Sequence, residues 1–150
     1  MKYLKFLIAF VIVMTISCKK FVREPHGNIK YWAHVYDYGR LKIIKNEVET
    51  VGVIKESEVS KDGDQIYKLS TPDTYLLNIG NVLLTRGYLI LEVICVNPVS
   101  KDYVGTKCED YVNDVVLPQV GDTVKVTGAW VHDKHHGWNE IHPVTKIIIR

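Results

Sequence analysis

Four of the six histidines in this 150-residue chain fall in one short run, His132-Asp133-Lys134-His135-His136-Gly137-Trp138-Asn139-Glu140-Ile141-His142. Imidazole nitrogens beside a carboxylate form the mixed N/O donor set that suits zinc and other borderline first-row ions. If residues 138–142 are extended, alternation puts Trp138, Glu140 and His142 on one face and Asn139 and Ile141 on the other. His132 at the end of the preceding strand and His136 in the turn complete a candidate metal set of His132, His136, Glu140 and His142. Around a zinc ion, Glu140 would act as ligand or general base, the chemistry of a metal-dependent phosphodiesterase or nuclease. The same residues also admit a structural role, in which a buried Glu140 bonds His142 or turn amides and holds the hairpin without an ion. The spacing matches no standard metal motif. A phosphate clamp is missing as well: beyond residue 17 the arginines are Arg23, Arg40, Arg86 and Arg150, scattered and outside this segment.

The elements that must position these residues begin after a leader. Residues 1–5 carry two lysines and no acid, and residues 6–16 are apolar except for Thr15, which reads as the n-region and h-region of a signal peptide over residues 1–17. Eleven residues are about half the ~20 needed to span a bilayer. Thr15-Ile16-Ser17-Cys18 resembles the cleavage box of bacterial lipoproteins, so Cys18 is the expected lipid-attachment site, with ordinary secretion and release as the alternative. Cleavage there leaves 133 residues and removes Lys2 and Lys5, so Lys plus Arg falls from 19 to 17 against 17 Asp plus Glu. A formally neutral mature chain gives no electrostatic support to nucleic-acid binding. Acyl chains would instead hold the protein to a membrane, through a tether and aromatic segment spanning residues 18–39. Tyr31, Trp32, Tyr36 and Tyr38 in that segment read as a packed cover over one end of a core.

Residues 40–150 read as one domain of short strands. Residues 47–55 are rich in Val, Ile and Thr around Gly52, Asp62-Gly63 signals a hairpin, and residues 65–70 alternate as a second strand. Residues 87–96 form the most apolar run and a central strand, with an irregular excursion containing a helical turn over 71–86 before it. A short helix is expected near 109–115, and residues 122–131 and 138–149 form two further strands, with Pro143 forcing a break or bulge. Five strands with a helix between the third and fourth predict a mainly β, OB-fold-like barrel; a small β-sandwich is the alternative. OB-folds bind ligands beside the loops joining strands 1–2 and 4–5, here residues 57–63 and 132–137, which makes Tyr67 and Trp138 candidate stacking surfaces.

Export also bears on the remaining cysteines. Outside the cytoplasm thiols tend to pair, so Cys95 and Cys108 are expected to form a disulfide, the competing readings being two buried thiols or a redox pair.

The run from Pro118 to Gly128, followed by His136-Gly-Trp-x-Glu-Ile-His-Pro-Val144, resembles the C-terminal signature of a family of exported bacterial proteins. Asp62-Gly63-Asp64, Glu92-Val-Ile-Cys95 and Cys108-x-x-Tyr111 resemble that family's earlier landmarks. The resemblance implies the barrel, an extracytoplasmic setting and pairing of the two cysteines, and it supplies no reaction. The expected function is therefore a membrane-anchored binding module in a cell envelope, facing a protein or glycan. A metal-dependent phosphodiesterase and a purely structural envelope component are the alternatives.

Overall fold

The computed structural model describes residues 29–100, 107–111 and 113–150. The leader, Cys18 and the rest of the segment up to residue 28 lie outside the described residues. A short helix α1 (Ile29–Trp32) and a 3₁₀ turn (Tyr38–Arg40) lead into β1 (Leu41–Val59), β2 (Gln65–Ser70), a second 3₁₀ turn (Thr74–Leu76), α2 (Ile79–Leu84), β3 (Leu89–Val93), β4 (Thr123–Asp133) and β5 (Asn139–Ile149). The five strands form one mixed sheet that closes in a ring in the order β1-β2-β3-β5-β4. All neighbours are antiparallel except β3 and β5, which run parallel over Ile90–Glu140 and Leu91–Ile141.

β1 is long because it has two partners. Its first part pairs with β4 and its last part with β2, with the transfer at Val53, which faces Ser70 on one side and Thr123 on the other. Gly52 sits at this handover, where an added Cβ would fall 2.3 Å from the Ser70 carbonyl oxygen and 2.8 Å from Leu69 Cγ. Only a residue without a side chain lets the two strands approach so closely.

Alternation along the strands creates two cores. Facing inward, Ile54, Tyr67, Leu69, Leu89, Leu91, Val93, Val124, Val126, Ile141 and Val144 fill the ring. Outside it, Tyr31, Trp32 and Val35 pack on Leu41, Ile94, Ala129 and Val131. The aromatic segment is thus a cover, as its composition predicts, but it lies on the outer sheet face and belongs to the folded unit rather than to the tether. Tyr38 is the exception and stays exposed.

The helix lies within the excursion over 71–86, where a helical turn is expected, and not near 109–115. α2 stands between β2 and β3, started by a capping box in which the Asn78 side chain accepts from the Asn81 amide while the Asn81 side chain accepts from the Asn78 amide. Between β3 and β4, the described residues of 107–119 form turns and irregular chain, not the helix expected near 109–115. Two local causes are visible. Asp110 adopts a left-handed conformation with φ of 57°, and the Asn113 side chain accepts the Val115 amide, diverting backbone bonding from a helical ladder. Cys95 and Cys108, which bracket this connection, are joined by a disulfide.

Candidate functional site

The histidine-rich turn does not converge on a single centre. Asp133 organises it: one carboxylate oxygen accepts the amides of His135 and His136 at 2.7 and 3.1 Å, and the other lies 2.9 Å from His136 Nδ1. His136 then stacks on Trp138 with ring centroids 4.5 Å apart and planes 10° from parallel. His132 faces elsewhere, its Nδ1 lying 3.2 Å from Asn139 Oδ1 and 3.3 Å from Asn78 Nδ2. The register explains the split. His132 is opposite Asn139 and Val131 is opposite Glu140, so His132 shares a sheet face with Asn139 while Glu140 and His142 project from the opposite one. Of the four sequence-predicted metal residues, the structure brings together only Glu140 and His142. Tyr67 is a correction of another kind: it lies inside the ring at 2% exposure, so its ring offers no face to a ligand. Trp138 is half-buried with one face taken by His136.

What surrounds Glu140 and His142 is a larger buried polar cluster. His142 Nδ1 lies 2.9 Å from Glu92 Oε2 and 3.1 Å from Glu140 Oε1, and Trp138 Nε1 donates to Glu140 Oε2 at 3.0 Å. Arg40 donates to Glu92 at 3.4 Å and to Asp133 at 3.2 Å. Asp64, from the turn after β1, receives the Cys95 amide on Oδ1 at 2.9 Å and sets Oδ2 3.9 Å from His142 Nε2. Four carboxylates thus share Arg40 and His142. Glu140 is 0% and His142 1% exposed, on the outer sheet face over which the N-terminal segment packs.

This crowding separates the titrations. Burial opposes a charged His142, but the Glu92 charge and the hydrogen bonds to Glu140 and Glu92 prevail and push it up to about 10. Burial likewise opposes the Glu92 carboxylate, yet His142 and then Arg40 hold it at about 2. Burial drives Asp64 up to about 7 against the pull of His142, with Glu92 and Asp62 adding repulsion. Glu140 moves upward too, through burial and then the Glu92 charge. Asp133 is lowered: burial is outweighed by Arg40 and the bonds from His136 and His135.

Reading the sequence around the histidines missed Arg40, Asp64, Glu92 and Asp133. Glu92 did leave a signal, being the lone charge in the apolar run GYLILEVICV, and a charge that a central strand buries must be paired. Asp64 lies in the Asp62-Gly63-Asp64 landmark of the resemblance, whereas Arg40 left no signal, because nothing in its local sequence ties it to Glu92, 52 positions away.

No protein-family model matches this chain, and no curated protein matches it either.

Proposed function

We propose that the chain is an extracytoplasmic, membrane-tethered binding module with an OB-like ring, and that it binds the apolar surface of an envelope protein through α2. The observation that carries this reading is the exposure of large apolar side chains around one short helix. Ile79, Val82, Leu83 and Leu84 are 55–72% exposed, and Tyr75 beside them 63%. Contiguous apolar groups in water at this density are a feature of interaction surfaces. Burial of the polar cluster argues in the same direction, since groups at 0–4% exposure such as Asp64, Glu92, Glu140 and His142 meet no substrate.

A protein suits the patch better than a lipid surface. Interfacial helices carry Lys and Arg on the face opposite their apolar residues. α2 has the sequence IGNVLL, without a charge, and the adjacent Arg86 pairs with Glu56, which also binds Lys68 at 2.6 Å. Support for the OB-like assignment comes from the strand order and the parallel β3–β5 pair. The disulfide supports export. No helix among the described residues is long and apolar enough to cross a membrane, and the tether rests on the sequence at Cys18. Likeness to the exported family with the HGWxEIHPV signature fits the same setting.

A photo-crosslinking residue at position 83 of the full chain, expressed in its own envelope, tests this. The expected result is one discrete protein adduct, lost when Ile79→Asp is added and not formed with the crosslinker at exposed Lys146. Equal adducts at both positions would refute the proposal, as would flotation of the non-acylated chain with phosphatidylglycerol vesicles that Leu83→Asp abolishes.

A further inference from the structure

We propose a divalent-cation site of the zinc class on the outer face of β3 and β5, with His142 Nε2 and one carboxylate oxygen each from Asp64 and Glu92 as ligands. It is independent of the α2 surface. Of the residues that the histidine-rich segment suggests, only His142 is a ligand here. Glu140 becomes the partner that orients it, while His132 and His136 take no part.

The geometry supplies the first argument. One donor atom from each of the three residues lies within 4.8 Å of the others, and all three residues are buried. The second comes from the imidazole itself. Its Nδ1 is hydrogen-bonded to Glu140 Oε1 at 3.1 Å, a carboxylate that accepts when ionised. An ion that binds here displaces the proton on Nε2 while the Nδ1 proton stays with the carboxylate, and Nε2 is buried with no hydrogen-bond partner among the described residues. This carboxylate–histidine pairing is the arrangement that fixes the tautomer of a metal-binding imidazole. Asp64 Oδ2, at 3.9 Å from Nε2, is too far for a hydrogen bond. That distance is near the separation of about 3.4 Å expected for two ligands each ~2.0–2.2 Å from one tetrahedral ion, so a small contraction brings these two donors to a common ion.

Charge and positioning agree. Asp64, Glu92, Asp133 and Glu140 carry four formal negative charges against one fixed cation, Arg40. A divalent ion offsets half of them while using His142 in its neutral form. Asp64 is aimed for the task, because the Cys95 amide holds Oδ1 and leaves Oδ2 turned to His142. One imidazole with two carboxylates favours zinc over calcium or magnesium, which take oxygen donors. Buried and reached from the turn after β1, from β3 and from β5, the ion would be a structural cross-link.

The test is titration of chelator-treated, untagged full chain with Zn²⁺ alone, followed by calorimetry and by ¹⁵N NMR of the histidines. One ion per chain is expected, with the His142 Nε2 resonance moving on binding and those of His132 and His136 staying in place. Glu140→Gln is expected to weaken binding about 10–100-fold, as for an outer partner, and Asp64→Asn by more than about 100-fold. The Asp64→Asn variant keeps the oxygen that accepts the Cys95 amide, so the fold is retained, and the NMR readout on the unaltered chain needs no variant. Absence of zinc uptake, an unmoved His142 resonance, or uptake that the His132→Ala/His136→Ala double variant abolishes would overturn the site.

Discussion

Arg40 is the residue that links the N-terminal segment to the buried acids, since its side chain, 9% exposed, bonds Glu92 on β3 and Asp133 on β4. Removing one member of a buried ionic set leaves its partners charged and unpaired, which costs about 3–5 kcal/mol. Arg40→Met should therefore lower the free energy of unfolding by about 3–5 kcal/mol in a urea titration, and a change below about 1 kcal/mol would remove Arg40 from the network. The same groups set a pH profile in the metal-free chain. Glu92, held at about 2 against an ordinary 4.5, contributes fully above 4.5, and that contribution is lost as pH falls toward 2. His142, raised to about 10 from 6.5, contributes fully below 6.5 and loses it as pH rises toward 10. Asp64, pushed up to about 7 from 3.8, adds a penalty that grows between those values. Thermal unfolding in chelator should thus show a higher midpoint at pH 5.5 than at pH 9, and the reverse order would mean that His142 is not ion-paired. At this scale the sequence carried the Glu140–His142 pair, because two residues on one strand face need only local alternation. Pairing of Arg40 with Glu92 spans 52 positions and follows from the register alone.

Among the elements, α2 shows how a short segment with weak intrinsic helicity is held. Six residues are too few to be stable alone, so the helix depends on its anchor, and that anchor is Asn81. Its Oδ1 accepts the amides of Asn78 and Asn139, and its Nδ2 donates to the carbonyls of Tyr88 and Asn139. One buried side chain thereby ties α2 to the starts of both β3 and β5. Asn81→Ala would strand these backbone groups at about 1–3 kcal/mol for each left without water. The expected loss is about 2–4 kcal/mol, together with fast hydrogen exchange of the Asn139 amide; protection unchanged from the parent would contradict it. Gly80 makes the neighbouring contact, where a Cβ would meet the Gly137 carbonyl oxygen of the histidine turn. The strands were readable from their Val, Ile and Thr content and alternation, with β2 matching its expected bounds of 65–70. The start of β1 was not, because Lys45-Asn46-Glu47 separates Leu41-Lys42-Ile43-Ile44 from the Val-rich run and their pairing comes from β4. A helical turn within 71–86 was readable, but its exact place was not, since beyond the local capping box Asn78 and Asn81 anchor it to residues more than 50 positions away.

At the scale of the whole molecule, the ring is closed by its strands, but its buried polar face is closed by two segments that are not strands. The N-terminal segment covers one side, and the connection after β3 holds that segment down. His34 stacks on Tyr111 with centroids 3.9 Å apart, His34 Nδ1 meets the Lys107 carbonyl at 2.6 Å, and Lys107 Nζ donates to the Ala33 carbonyl. The Cys95–Cys108 disulfide fixes the connection to the end of β3 beside Asp64, whose Oδ1 accepts the Cys95 amide. Pairing of these two cysteines was inferable from export and from elimination of Cys18, whereas its role as a clamp on the cover was not, because nothing local ties residues 107–111 to the covering residues more than 70 positions earlier. Closing a loop of about 15 residues restricts the unfolded chain by about 3 kcal/mol. The Cys95→Ala/Cys108→Ala double variant should therefore unfold about 3 kcal/mol more easily in urea. Because the clamp also secures the cover, the loss should not be uniform. Hydrogen exchange at the residue 95 amide, bonded to Asp64, should accelerate more than at Leu69 in the core of the ring. Equal acceleration at both positions would mean that the disulfide stabilises only by global chain entropy and that the cover holds the polar face without it.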